Sequence, residues 1–118
     1  MRDKLGDHAR IKHIIDALEE IENYTNGVDL TEFESNSMRR LATVKQLEII
    51  GEAVSRVSIE LTDQFPTVEW RKIKGLRNIL VHEYFGIDAE LIWQIVREDL
   101  PVFKKEIQKV NLYLTSRD

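Results

Sequence analysis

The chain has 118 residues, of which 42% are hydrophobic and 32% charged, a composition typical of one globular domain over residues 1–118. It has no cysteine, which excludes disulfides, thiolate metal sites and a cysteine nucleophile. The net charge of −4 argues against a general nucleic-acid coat. Because no long apolar run and no N-terminal apolar segment is present, we expect a cytoplasmic protein without a membrane span or secretory signal.

The first half of the sequence predicts two long helices. The first carries apolar residues at helical spacing and is expected to end near Asn26 and Gly27; these residues are Ile11, Ile14, Ile15, Leu18 and Ile21. Thr31 and Glu34 match a capping box, so a second helix is expected to start there. Its apolar stripe continues to about residue 60, and Gly51 within it allows another helix to come close.

The second half predicts the remaining helices. Thr67 is a candidate N-cap for the third helix, which Gly86 is expected to end, and Asp88 is a candidate cap for the fourth. Pro101 either kinks the fourth helix or starts a fifth at its first turn. We therefore expect an all-α, up-and-down bundle of four main helices, one of them split or followed by a short fifth.

The segment from residue 77 to 84 carries the most chemistry. Arg77 offers a planar fork of donors for a phosphate, and His82 can move a proton near neutral pH. Asn78 is suited to orient the imidazole or the phosphate, and the Tyr84 phenol can donate a hydrogen bond or accept a covalent group. These side chains suit metal-independent RNA cleavage, in which the 2′-hydroxyl attacks its own phosphate. Alternatively, His82 and Tyr84 are packing residues.

Helix geometry limits how these residues converge. Arg77 and His82 are five residues apart, which is roughly 140° around an ideal helix, whereas Arg77 and Tyr84 share a face. Either the helix loosens near His82, or a second chain completes the site. A two-fold dimer would bring two copies of the segment together.

Other charged residues support the segment. Glu52 lies in the apolar second helix, where it either pairs with Arg77 or faces water. Three cations near the motif are assigned to RNA phosphates, with a solvated helix face as the alternative: Arg71, Lys72 and Lys74. His8 and His13 are interpreted as surface residues, Trp70 and Trp93 as core or interface anchors, and no metal site or cofactor is expected.

The chain resembles the HEPN superfamily, and within it the HepT-like proteins encoded beside a minimal nucleotidyltransferase (MNT). The resemblance rests on the R-x4-H-x-Y pattern of Arg77, His82 and Tyr84, with Asn78 after the arginine. Several flanking segments match as well and make the pattern specific: residues 49–53 (IIGEA), 70–73, 84–88, Trp93 and 99–101.

The resemblance implies a dimeric helical bundle whose paired motifs line a cleft. It implies a toxin of a type VII-like toxin–antitoxin system that acts as a metal-independent endoribonuclease. It also implies that the partner MNT neutralises the toxin by adding AMP to the motif tyrosine, Tyr84. Two alternatives remain at this point: a non-catalytic nucleotide- or substrate-binding module that works with a nucleotidyltransferase, and a purely structural interaction protein.

Overall fold

The described part of the chain is helical. A computed structural model describes the backbone of residues 2–82 and 88–117, and the side chains of residues 6–78 and 88–117. The helices are α1 (Arg2–Thr25), α2 (Leu30–Ser35), α3 (Ser37–Ser55), α4 (Ile59–Gln64), α5 (Trp70–His82), α6 (Ala89–Gln94) and α7 (Leu100–Arg117), with a π-helical turn at Ile95–Asp99. The predicted all-α fold is confirmed.

Four long helices, α1, α3, α5 and α7, build the bundle. Helix α1 packs against α3 and α7, and α3 also packs against α5. Helices α1 and α3 run antiparallel, because Asp7 near the start of α1 bonds Ser58 beyond the end of α3, and Tyr24 near the end of α1 bonds Gln46. Asp7 is almost fully buried and accepts from both the amide and the hydroxyl of Ser58, at 2.9 and 2.5 Å.

The core follows the predicted apolar spacing. Burial of these side chains provides the main driving force for folding. Fully buried residues come from every long helix, and they include Ile11, Ile14, Ile21, Leu47, Ile50, Ile73, Ile107 and Val110.

The turn after α1 differs in part from the prediction. Helix α1 ends at Thr25, and Gly27 has a φ of 73°, a backbone conformation that glycine adopts readily. The predicted capping box at Thr31 and Glu34 is wrong by two residues. Asp29 is the N-cap of α2, where its side chain accepts from the amide of Glu32 and the Glu32 side chain accepts from the amide of Asp29.

The predicted second helix is divided into three. Asn36 accepts from the amide of Arg39 and starts α3, so α2 and α3 are separate. Helix α3 ends at Ser55, and Ser58 caps the short helix α4 by accepting from the amide of Leu61. A short polar side chain that binds a backbone N–H competes with a continuing helix, which explains both breaks.

Helix α5 begins later than predicted. Thr67 is not its N-cap, because α5 starts at Trp70 and the Thr67 hydroxyl instead donates to Glu106 at 3.0 Å. The predicted end at Gly86 lies outside the described residues. The predicted cap Asp88 is confirmed, since its side chain accepts from the amide of Leu91 at the start of α6.

Pro101 lies in the first turn of α7, which is one of the two alternatives predicted for this residue. The amide of Leu100 donates to the carbonyl of Ile95, which is the longer spacing of a π turn. Pro101 is the second residue of α7, and because it has no N–H it donates no hydrogen bond to the preceding turn. Helices α6 and α7 therefore form one run that is interrupted by the π turn.

Both tryptophans are half-buried anchors. The Trp70 indole N–H donates to the carbonyl of Phe65 at 3.0 Å. The Trp93 ring lies 5.1 Å from the ring of Phe33, and the Arg97 guanidinium lies over the Trp93 ring at 4.3 Å from its centroid. These contacts join α6 and the π turn to α2.

Among the described helices, none is long and apolar enough to cross a bilayer.

Candidate functional site

Arg77 lies where α5 crosses α3, and a glycine makes this position possible. A Cβ atom at Gly51 would lie 2.7 Å from Cγ of Arg77, which is closer than a Cβ atom approaches a non-bonded atom in proteins. The missing side chain therefore lets the aliphatic stem of Arg77 lie directly on α3. This explains why a glycine stands within the apolar stripe of that helix.

The guanidinium of Arg77 is held by two side chains of α3. Its Nη1 donates to Oε1 of Glu52 at 2.7 Å and to Oγ of Ser55 at 3.3 Å. Nε and Nη2 make no hydrogen bond to the described residues. The predicted Glu52–Arg77 pair is present, and Glu52, with its side chain 48% exposed, occupies the water-facing boundary.

Glu52 is shared between two arginines. Its Oε2 accepts from Nε of Arg56 at 2.8 Å, one helical turn further along α3. Hydrogen bonds from Arg56 and Arg77 lower the pKa of Glu52, because both favour the ionised carboxylate. The carboxylate is therefore ionised at neutral pH and orients Arg77.

Arg77 forms one wall of an open groove between α1 and α3. The groove has a volume of about 490 Å³, within the usual range of ligand sites. Four cations and two carboxylates line it, giving +2 when its histidine is neutral. The lining residues are Arg10, His13, Lys45, Glu48, Ile49, Glu52, Ala53, Arg56 and Arg77.

Sequence reasoning missed most of this groove. Lys45, Glu52 and Arg56 recur at the i, i+7, i+11 spacing of one helix face, a signal that was present but lay beside the more prominent apolar stripe. His13 was interpreted as a surface residue; it is exposed, but it also lines the groove. No pattern within the sequence pairs α1 with this face of α3, because that pairing is tertiary.

The rest of the motif is described only in part. Helix α5 remains helical through His82, so the backbone does not loosen before that residue. Asn78 follows Arg77 on an exposed position of the helix. The side chain of His82 and the whole of Tyr84 lie outside the described residues.

None of the three predicted phosphate contacts on α5 lines the groove beside Arg77. Nζ of Lys72 donates to Asp99 in the π turn at 3.1 Å, and this bond raises the pKa of Lys72. Lys72 is five residues from Arg77, so the two project about 140° apart. Arg71 and Lys74 are exposed and line none of the groove. Within the described ranges, no group of three or more acidic and histidine side chains is arranged to hold a metal ion.

A helical bundle in which the arginine and histidine of an R-x4-H-x-Y sequence lie on α5, packed against the I-G-E-A segment of α3, is of the HEPN class. The sequence profile of the family described as ribonuclease HepT-like matches residues 14–110, a range that contains Arg77, His82 and Tyr84. The chain belongs to the ribonuclease HepT-like family, and its enzyme class is that of a ribonuclease. The resemblance predicted from the motif is confirmed.

Relatives agree with this assignment. The chain is 44% identical over 97 residues to "Putative RNase MJ1380" of Methanocaldococcus jannaschii, covering 82% of this chain and 89% of the relative. It is 32% identical over 100 residues to "Probable ribonuclease HepT" of Thermococcus cleftensis, covering 85% and 91%. No solved structure gives a significant match.

Proposed function

We propose that the chain is the toxin of a toxin–antitoxin system and cleaves RNA internally without a metal ion. The observation that supports this most is the guanidinium of Arg77, held by Glu52 and Ser55 at the wall of an open cationic groove. A charge positioned in advance for the phosphoryl oxygens is the largest contribution that such a site can make to transition-state stabilisation.

The proposed reaction is transfer of the phosphoryl group within the RNA. The 2′-oxygen bonds to the adjacent phosphorus as its bond to the 5′-oxygen breaks, leaving a 2′,3′-cyclic phosphate and a free 5′-hydroxyl. His82 takes the proton from the 2′-hydroxyl or gives one to the leaving oxygen, and such help is typically worth about 10²–10⁴ in rate. Arg77 neutralises charge on the phosphoryl oxygens, and Asn78 orients the imidazole or the phosphate.

A homodimer is part of this proposal. Helix α5 is continuous through His82, so one chain presents Arg77 and His82 about 140° apart. A two-fold partner whose own α5 faces the first supplies the second half of each cleft.

The test is cleavage of RNA by the purified protein in EDTA. Arg77→Ala and His82→Ala are each expected to abolish cleavage while thermal unfolding remains cooperative. Lys105→Ala, which removes an exposed cation from α7, is the matched control and is expected to cleave normally. Cleavage by the His82→Ala protein, or loss of wild-type activity on chelation, would overturn the mechanism. Binding without cleavage by the wild type would favour a non-catalytic substrate module.

The second part of the proposal is that a nucleotidyltransferase of the MNT type regulates the toxin. Attack by the Tyr84 phenolate oxygen on the α-phosphorus of ATP would release pyrophosphate and leave AMP on the ring. The added phosphodiester charge and base would block the cleft to RNA, and Arg77 would pair with the new phosphate.

Co-expression with the neighbouring nucleotidyltransferase tests this regulation. The intact mass of the wild type is expected to rise by one or more AMP groups, while Tyr84→Phe stays unmodified and toxic. An AMP adduct on the Tyr84→Phe protein would place the modification elsewhere. Growth inhibition on expression of the chain alone is the companion measurement.

A further inference from the structure

The groove between α1 and α3 is lined by residues other than Arg77 as well, and its lining has a net positive charge. We propose that it binds the single-stranded RNA that flanks the cleaved phosphate, with Arg10, Lys45 and Arg56 contacting phosphates at separate points along the strand. This inference rests on the ribonuclease function proposed above and adds the path of the substrate to it.

Local charge is the first support. The residues that line the groove sum to +2 with a neutral histidine, whereas the whole chain carries −4. An acidic protein repels RNA over most of its surface, so binding must be concentrated where the local sign is reversed. The groove is such a place, and it begins at the arginine that we assign to the reaction.

The geometry of the two helices gives the path a direction. Because α1 and α3 are antiparallel, Arg10 lies toward the Arg56 end of the groove and Lys45 lies at the other end. Lys45 and Arg56 are eleven residues apart on α3, or about 16 Å along the helix, several times the roughly 3.4 Å rise per nucleotide of a stacked strand. Arg77 and Arg56 share Glu52 at one end. The RNA therefore runs from Arg77 along α3 toward Lys45.

The floor of the groove suits bases without selecting among them. Ile49 is 37% exposed and Ala53 lies beside it, so the floor is apolar. The described lining contains no Trp, Tyr or Phe on which a base would stack strongly. We therefore expect the flanking strand to be bound through its backbone, with little sequence preference.

This path differs from the phosphate contacts predicted from the sequence, Arg71, Lys72 and Lys74, which stay a prediction. The Lys72 ammonium is engaged by Asp99, and neither Arg71 nor Lys74 lines the groove. Removal of these α5 cations is expected to weaken RNA binding less than removal of the groove cations.

The test compares two double variants with the same change in charge. Arg10→Gln/Lys45→Gln removes two groove cations, and Lys12→Gln/Lys105→Gln removes two exposed cations outside the groove lining. Affinity for a 2′-O-methyl oligonucleotide of about twelve nucleotides is measured by fluorescence anisotropy at several salt concentrations. The blocked 2′-oxygen prevents cleavage, so binding is measured alone.

The groove variant is expected to bind about tenfold more weakly at physiological salt than the control variant. The slope of log affinity against log salt should fall in magnitude by about 1.4, since each lost phosphate contact on a single strand removes about 0.7. Lys45→Gln alone should show half of the slope change. Because Lys45 is exposed, this variant also shows whether a weaker binding of the double variant is due to misfolding caused by the change at Arg10. Equal affinities and slopes for the two double variants would overturn the inference.

Cleavage of unmodified RNA in parallel separates this inference from the proposed function. A wild-type protein that fails to cleave counts against the proposed function, whereas the binding comparison still judges the groove. If the groove variant instead changes only the monomer–dimer equilibrium, the groove is covered by a second copy of the chain and the RNA path is wrong.

Discussion

Gly51 determines where Arg77 lies. Gly51→Ala places a Cβ 2.7 Å from Cγ of Arg77, so the stem of the arginine must move away from α3. We expect a loss of cleavage of about tenfold or more, because a displacement of about 1 Å at a catalytic group can cost 10²-fold. Crowding should also destabilise the fold by about 1–3 kcal/mol. Cleavage rates and urea unfolding measure both effects.

Gly75 is the matched control for this prediction. It lies within α5, and no described atom is within 4 Å of a Cβ built there. Gly75→Ala is therefore expected to stabilise the protein by about 0.5–1 kcal/mol and to retain cleavage, since alanine is the better helix former. Equal activity of the two alanine variants would show that the close approach at Gly51 does not position Arg77.

The Glu52 carboxylate gives a pH-dependent signature. Arg56 and Arg77 lower the pKa of Glu52, so its contribution to stability is present above the ordinary carboxyl pKa and is lost as pH falls through the lowered value. The difference in urea midpoint between wild type and Glu52→Gln should be larger at pH 7 than near pH 3, and high salt should reduce it at pH 7. A difference that grows on acidification would contradict this assignment.

At the scale of elements, the start of α2 compares two residues that fit a capping pattern. Asp29 is the N-cap, whereas Thr31 lies inside the helix. Asp29→Ala removes the bond to the amide of Glu32 and is expected to cost about 1 kcal/mol of stability. Thr31→Ala, at an exposed position inside the same helix, should be nearly neutral. Thermal unfolding of the two variants decides between them, and a larger loss for Thr31→Ala would contradict the observed cap.

The elements show why boundaries were harder to predict than helices. The apolar spacing of Ile11 to Ile21 and of Val44 to Val54 predicted α1 and α3, because burial on one helix face imposes that period. Thr31 and Thr67 were misjudged as caps, since a polar side chain of this size fits several local hydrogen-bonding patterns; Asp29 caps α2 instead, and Thr67 binds the tertiary partner Glu106. Asp88 was predicted correctly, as a polar residue directly before a periodic run.

At the scale of the whole molecule, one contact of the candidate site was among the predicted alternatives. It is the ion pair between Glu52 of α3 and Arg77 of α5. The pairing of Glu52 with Arg77 followed from a carboxylate inside an apolar stripe. Arg10 and Lys45 were not predicted, because their convergence depends on the antiparallel packing of α1 on α3. When the residues that line a groove lie on different helices, far apart along the chain, no local sequence pattern indicates that they come together.

A prediction for the assembled molecule concerns its oligomeric state. We expect a two-fold homodimer with α5 in the interface, since a continuous α5 separates Arg77 and His82 by about 140° within one chain. Light scattering at micromolar concentration should give twice the mass of a 13.9 kDa chain. A monomer that nevertheless cleaves RNA would contradict the need for a second chain.

The contacts of Glu52 and Ser55 with Arg77 also bear on conformational entropy. An exposed ion pair of this kind adds little to stability. A free arginine side chain, however, carries roughly 2 kcal/mol of rotamer entropy that is lost when it is fixed on a ligand. Here the loss occurs largely during folding, with the guanidinium already in one orientation at the groove. Under the proposed function we expect RNA to meet a side chain with little freedom left to lose, so that a pair which barely stabilises the free protein strengthens its complex with substrate.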